Sequence, residues 1–163
     1  MRLAFAMVAL GIVIGLPASA KGQSWQEYRP EGIGFRIEMP GKPKLETRQT
    51  KAGKTAYHAV VGLKDMAFLV VYGAKDVADS ESALDAVVKA VAADNKLLSS
   101  KKEMIGASPA RRILVEDADK DQFEFRIVIA DNRLIQATFA GPAGNLLGRR
   151  FLDSLAILEP KQP

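Results

Sequence analysis

The densest group of potential metal ligands in the sequence is Asp117-Ala118-Asp119-Lys120-Asp121. Alternating carboxylates of this kind open a calcium-binding loop, in which they converge on one hard cation. The rest of that pattern is missing, because Gln122 stands where the loop needs glycine and Val128 where it needs a bidentate glutamate. Lys120 also places a positive charge among the carboxylates. We therefore expect a solvated hairpin loop, with calcium binding as the alternative.

A second chemical motif, Ala52-Gly53-Lys54-Thr55, matches the end of a phosphate-binding loop. The first glycine of that motif would fall at Arg48, and the residues that follow have the pattern of a strand. A phosphate cradle needs backbone amides that open a helix. The sequence therefore predicts a β-turn here.

His58 is the only histidine, and the absence of cysteine excludes thiol catalysis and thiolate metal sites. A hydrolase would have to use His58 together with an aspartate or a serine. The segment Gly106-Ala107-Ser108-Pro109-Ala110 is not a nucleophile elbow, because it lacks the final glycine and has proline directly after the serine. We assign no catalytic, cofactor-binding or metal-ligating residue and no cofactor.

Basic residues occur in pairs along the chain. Beyond residue 20 there are 22 basic and 19 acidic residues, an excess of only three. Nucleic-acid binding normally needs a basic stripe with aromatic residues or a reading helix, which this sequence lacks. We expect solvated surface charge, or contact with an anionic surface or acidic partner if the pairs share one face. The basic residues concerned are Lys101-Lys102, Arg111-Arg112 and Arg149-Arg150, with Lys42 and Lys44.

Seven segments have the composition and periodicity of β-strands. The first, from Gly34 to Met39, alternates apolar and charged residues, which is typical of a half-buried strand. Asp131-Asn132 predicts a two-residue hairpin turn, because both residues tolerate positive φ. The other six strands are predicted at 45–50, 54–63, 66–72, 110–115, 123–130 and 134–139.

The run from Met66 to Tyr72 is almost continuously apolar, as expected of a central strand that is covered on both faces. We expect one face to carry Phe68, Val70 and Tyr72. The opposite face, carrying Leu69 and Val71, should be covered as well.

Two segments have helical periodicity. The first begins at the N-cap candidates around Asp79 and runs to about Asn95. Gly141-Pro142 predicts the start of the second. Its predicted inner stripe comprises Leu146, Leu147, Phe151, Leu152 and Leu155. Seven strands, mostly joined by hairpins, and two helices predict an α+β protein with an antiparallel sheet.

The first 20 residues have the organisation of a secretory signal peptide. Met1-Arg2 is followed by an apolar run from Leu3 to Leu16, and Ala18-Ser19-Ala20 supplies the cleavage pattern. The run is shorter than the ~20 residues that a membrane-spanning helix needs. We expect cleavage before Lys21, export to the periplasm or the extracellular space, no membrane span afterwards, and a single domain over residues 21–163. A cysteine-free exported chain is typical of a bacterial envelope protein.

Two motifs resemble a known group of proteins. The opening Trp25, Tyr28 and Gly34-Phe35-x-Ile37-x-Met39-Pro40-x-x-Pro43 resembles that of small secreted bacterial proteins of unknown function, which are similar to the PsbP-like, Mog-type α/β/α sandwich. The closing Arg150-Phe151-Leu152-Asp153-Ser154-Leu155 resembles the same group's terminal helix. The resemblance spans the chain beyond the signal. It implies an accessory module that binds a larger assembly without chemistry of its own.

Three functions follow from these observations. The leading one is a non-enzymatic exported envelope protein, a binding or assembly module for an unknown protein or envelope component, which predicts a contiguous exposed patch. A small-ligand carrier would need a sheet–helix pocket of ~300 Å³ or more with apolar walls. A hydrolase would need a carboxylate within hydrogen-bond reach of His58.

Overall fold

Two antiparallel sheets and two helices make up residues 24–50 and 52–158, the part of the chain that the computed structural model describes. In chain order the elements are β1 (Gln26–Tyr28), β2 (Phe35–Met39), β3 (Lys44–Gln49), β4 (Thr55–Leu63), β5 (Met66–Lys75), α1 (Ser80–Ala93), β6 (Lys96–Ile105), β7 (Ser108–Glu116), β8 (Gln122–Ala130), β9 (Arg133–Ala140), α2 (Leu146–Asp153) and β10 (Ala156–Ile157). The predicted signal peptide, residues 1–20, and its cleavage site lie outside the described residues.

The larger sheet has seven strands in the order β3-β4-β5-β9-β8-β7-β6, and the smaller has the order β1-β2-β10. Helix α1 packs on one face of the larger sheet, over β6, β7 and β8. On the opposite face lie α2, which contacts β8 and β9, and the smaller sheet, whose β2 contacts α2. The predicted α+β class, with a seven-stranded antiparallel sheet between two helices, is confirmed.

Membership of the seven-stranded sheet differs from the prediction. The strand predicted from Gly34 is β2, which belongs to the smaller sheet. The seventh strand of the larger sheet is β6, which the sequence did not predict. The sequence of β6 is largely polar and has no apolar alternation, because seven successive residues of this edge strand are exposed. Its register is fixed by the hairpin at Gly106, where φ is +61°.

The central position of β5 is confirmed, since it pairs with β4 on one side and β9 on the other. Phe68, Val70 and Tyr72 are buried on the face toward the smaller sheet. On the opposite face Leu69 is buried, whereas Val71 is only half-buried. The prediction of full cover on this face is wrong at Val71, because α1 lies over the other half of the sheet.

Helix α1 begins at the predicted cap. The Asp79 carboxylate accepts hydrogen bonds from the Ser82 backbone N–H at 3.1 Å and from the Ser82 hydroxyl at 3.0 Å. These bonds lower the pKa of Asp79. Leu84, Val87 and Val91 are buried against the sheet, so apolar packing stabilises a helix whose valines have weak intrinsic propensity.

Helix α2 begins four residues later than predicted. Gly141-Pro142 lies in a turn, which the Asn145 backbone N–H closes by donating to the Pro142 carbonyl at 3.2 Å. The Asn145 side chain then caps the helix by accepting from the backbone N–H groups of Leu147 (2.9 Å) and Gly148 (3.3 Å).

The inner face of α2 is formed by Gly148, Phe151 and Leu152, which are buried at i, i+3 and i+4. Leu146, which the sequence placed on this face, is 76% exposed because it lies on the opposite side of the helix. At Gly148 the helix backbone approaches β9 so closely that a Cβ atom would lie 2.5 Å from Cδ1 of Phe139. Glycine is therefore required here by packing.

The opening and closing motifs contact each other. The Ser154 hydroxyl accepts a hydrogen bond from the Glu38 backbone N–H at 2.8 Å. The Arg150 Nε donates to the Glu38 carboxylate at 2.8 Å, and the Arg150 guanidinium lies 4.3 Å from the centroid of the Trp25 ring. These contacts attach α2 to β2 and to the residues that precede β1.

We expect Gly148→Ala to destabilise the fold, although alanine normally stabilises a helix relative to glycine. The added methyl group would overlap the ring of Phe139, which is 1% exposed and fixed by its neighbours, and overpacking costs about 1–3 kcal/mol. Urea unfolding at constant m-value measures the change. Gly62→Ala is the matched control, because a Cβ there meets nothing within 4 Å. An equal or higher unfolding free energy for Gly148→Ala would contradict the close packing of α2 on β9.

Candidate binding sites

His58 lies on β4, opposite Glu46 of β3 and Val71 of β5. It is 5% exposed, and burial is the main cause that lowers its pKa, with a further contribution from the charge of Arg48. Within residues 24–50 and 52–158, no hydrogen bond links His58 to a carboxylate or hydroxyl. The Glu46 carboxylate instead pairs with Lys44 at 2.9 Å and with Arg48 at 2.8 Å.

The acidic run 117–121 forms the loop between β7 and β8. The Asp117 Oδ1 accepts backbone hydrogen bonds from Asp119 at 2.9 Å and from Asp121 at 3.0 Å, which turns this carboxylate toward its own backbone. Lys120 adopts φ +73° and pairs with Glu116 at 3.2 Å. In the described ranges, no group of three or more His, Asp or Glu side chains is placed to hold a metal ion.

The Gly53-Lys54-Thr55 segment is a turn, as predicted. Gly53 adopts φ +72°, and its backbone N–H donates to the Thr50 carbonyl at 2.9 Å. Thr55 begins a strand and not a helix, so the amides that would cradle a phosphate are absent from this segment. The Lys54 ammonium pairs with Asp76.

The basic pairs on the strands are divided between the two faces of the sheet, because successive residues of a strand point to opposite sides. On β7, the buried Arg111 points toward α1 and donates to Glu81 at 2.7 Å and to Asp85 at 2.8 Å. Arg112 points toward α2 and donates to Asp153 at 2.6 Å. The Arg111 hydrogen bond lowers the pKa of Glu81.

A sheet–helix pocket of about 360 Å³ lies between α2 and the β6–β8 part of the larger sheet. Lys101, Arg112 and Arg149, one member of each basic pair, line it with Glu124 and Asp153. Its volume exceeds the minimum for a small-ligand carrier, but its charged walls are unlike the apolar walls that a carrier needs.

A second pocket, of about 500 Å³, opens between the end of the larger sheet and the loop from β1 to β2. We call it the tyrosine pocket. Its walls are Pro30, Glu31, Ile33, Thr55, Tyr57, Tyr72, Gly73, Ala74 and Arg133. The Tyr57 and Tyr72 rings stack with centroids 5.3 Å apart, and the Tyr72 hydroxyl lies 3.1 Å from that of Tyr28. Burial raises the pKa of Tyr28. No motif in the sequence indicates this pocket, because its walls come from segments far apart in the chain.

The free edge of β6 is the third candidate. The strand is ten residues long and pairs with β7 alone within the described part of the chain. Three large apolar side chains on it are exposed, by 41% at Leu97, 38% at Leu98 and 58% at Met104. The opposite edge, β3, is six residues long and carries one exposed large apolar side chain, Leu45.

The fold is similar to that of a solved cyanobacterial protein. The solution structure of cyanobacterial PsbP (CyanoP) from Synechocystis sp. PCC 6803 matches with a TM-score of 0.53 and 11% sequence identity, over 88% of this chain and 98% of that chain. No protein-family model and no curated protein matches the sequence. The likeness confirms the PsbP-like fold that the opening and closing motifs predicted, and at this identity it establishes the fold alone.

We expect His58 to lower the unfolding free energy of the protein as the pH falls below about 6.5, a range above that in which the carboxylates act. Because burial lowers its folded-state pKa, the unfolded chain binds the proton more readily, and stability is lost as pH falls from about 6.5 toward the lower folded value. Carboxylates with lowered pKa, such as Glu46 at about 2, lose their contribution only at lower pH. Urea unfolding from about pH 8 to about pH 5 should show this decline in the wild type and not in His58→Gln. A rise in wild-type stability over that range would indicate a charged, carboxylate-paired histidine.

Proposed function

We propose that this chain is a non-enzymatic exported module that binds another protein through the free edge of β6. The observation that carries the proposal is the exposure of Leu97, Leu98 and Met104 along a ten-residue strand whose outer edge is unpaired in the described residues. A free edge of this kind offers backbone donors and acceptors to an extended segment of a partner, which adds a strand to the sheet.

Charge on β6 makes indiscriminate pairing unfavourable. Lys96, Lys101 and Lys102 interrupt the apolar residues, and the register shifts between Leu97 and Ser99. Lysines and bulges are the devices by which natural edge strands avoid aggregation. They also favour a partner whose added strand carries carboxylates, since no ion pair engages Lys101 among the described residues.

The PsbP-like fold is compatible with a binding module, the class of function that the resemblance of the opening and closing motifs implies. The hydrolase alternative finds no support at His58, which is buried without a hydrogen-bonded acid in the described residues. The carrier alternative is not favoured by the sheet–helix pocket, whose walls are charged. Within the described ranges no helix is long and apolar enough to cross a membrane.

We expect a variant with Leu98→Lys and Met104→Lys to lose its partner. The chain without residues 1–20 is immobilised, exposed to envelope extract, and the captured proteins are identified by mass spectrometry. Both positions are exposed, so the unfolding free energy should stay within about 0.5 kcal/mol of wild type. Leu45→Lys, a change to an exposed leucine on the opposite edge, should retain capture. Equal capture by the wild type and both variants would contradict docking at β6.

The predicted export and cleavage of residues 1–20 can be tested independently of partner binding. We expect N-terminal sequencing of the protein from an envelope fraction to start at Lys21, because Ala18-Ser19-Ala20 precedes that position. Replacing Ala20 with a bulky residue should leave the longer chain uncleaved. Envelope material that starts at Met1 would instead indicate an uncleaved anchor.

A further inference from the structure

Arg133 is a buried arginine without a carboxylate partner in the described part of the chain. It is 9% exposed; its Nη1 donates to the Gly73 carbonyl, and its Nε is buried without any hydrogen-bond partner. The nearby Asp131 pairs with Lys75 instead. Arg111, which is also buried, has two carboxylates within 2.8 Å. Burying a charge without a counter-charge is costly. Arg133 therefore lacks the paired carboxylates that offset this cost for Arg111.

The tyrosine pocket places this guanidinium beside apolar and aromatic walls. The stacked rings of Tyr57 and Tyr72 form one side, and Ile33 on the loop from β1 to β2 contributes to another. Tyr57 is 43% exposed, so part of the aromatic wall is open to solvent. Apart from the buried Arg133 and the exposed Glu31, the lining is uncharged. A few charged or polar groups within largely apolar walls are the usual design of a site for a small organic ligand.

We propose that the tyrosine pocket binds a small carboxylic acid with an aromatic or apolar body, whose carboxylate meets the Arg133 guanidinium. The carboxylate supplies the missing counter-charge through charge-assisted hydrogen bonds. A doubly charged phosphate group fits less well, because Arg133 is the only cation among the described residues of the lining, which also includes the exposed Glu31. The acid's body packs against Tyr57 and Tyr72.

Benzoate is the test ligand, and benzamide, which has the same shape without the charge, is its control. Titration of ¹⁵N-labelled protein lacking residues 1–20 should give benzoate-dependent shifts at the backbone of Gly73 and Ala74 and at the Arg133 Nε. Benzamide should bind at least about tenfold more weakly, since charged hydrogen bonds are lost. Inorganic phosphate in place of benzoate should cause smaller shifts.

Variants separate the role of Arg133 from folding. Arg133→Met should lower benzoate affinity by about tenfold or more, and Arg133→Lys, which keeps the charge without the planar fork, should be intermediate. Glu31→Gln should raise affinity by about two- to threefold, because an exposed like charge is removed. Arg149→Met, at the sheet–helix pocket, is the matched control and should bind benzoate as the wild type does.

Three results would overturn the proposal. They are equal binding of benzoate and benzamide, benzoate shifts centred on Lys101 and Arg149, and no shift with benzoate at millimolar concentration. Each is read on the wild-type protein, so the conclusion stands even if Arg133→Met fails to fold.

Discussion

Two consecutive arginines on one strand hold a helix to each face of the larger sheet. Because strand residues alternate, Arg111 reaches Glu81 and Asp85 of α1, while Arg112 reaches Asp153 at the end of α2. The pairs add little net stability, since the cost of desolvating the charges offsets much of the attraction. These hydrogen bonds instead relate each helix to β7: Glu81 and Asp85 of α1 meet the strand on one face, and Asp153 at the end of α2 meets it on the other.

The free energy for docking comes from apolar packing on both sides of the sheet. On the α1 side, Leu84 and Val87 pack with Ile113 and Ile127, and on the other side Phe151 meets Phe68 edge-on with centroids 5.4 Å apart. The chain has no cysteine, so no disulfide contributes. A sheet stabilised by burial must cover most of both faces, and Val71 is half-buried because α1 covers only the β6–β8 half.

A turn and a helix start that each depend on a few neighbouring residues were predicted correctly from the sequence. The hairpin at Asp131-Asn132 has positive φ at both residues, and α1 begins at the Asp79 cap. By contrast, β6 could not be predicted from its exposed, lysine-rich sequence, because pairing with β7 and the turn at Gly106 define it. The start of α2 was misplaced because proline after glycine is equally typical of the turn found there.

The candidate sites depend on contacts between residues distant in sequence, and for this reason no sequence motif predicts them. Arg133 meets Gly73 across 60 positions and becomes buried only when β5 and β9 pair. Of the strands that line the tyrosine pocket, β9 lies nearest to β6, and β8 and β7 separate the two, so the pocket and the free edge are at least about 14 Å apart at a strand spacing of ~4.8 Å. Substitutions at that separation normally act additively. The two candidate sites can therefore be altered independently.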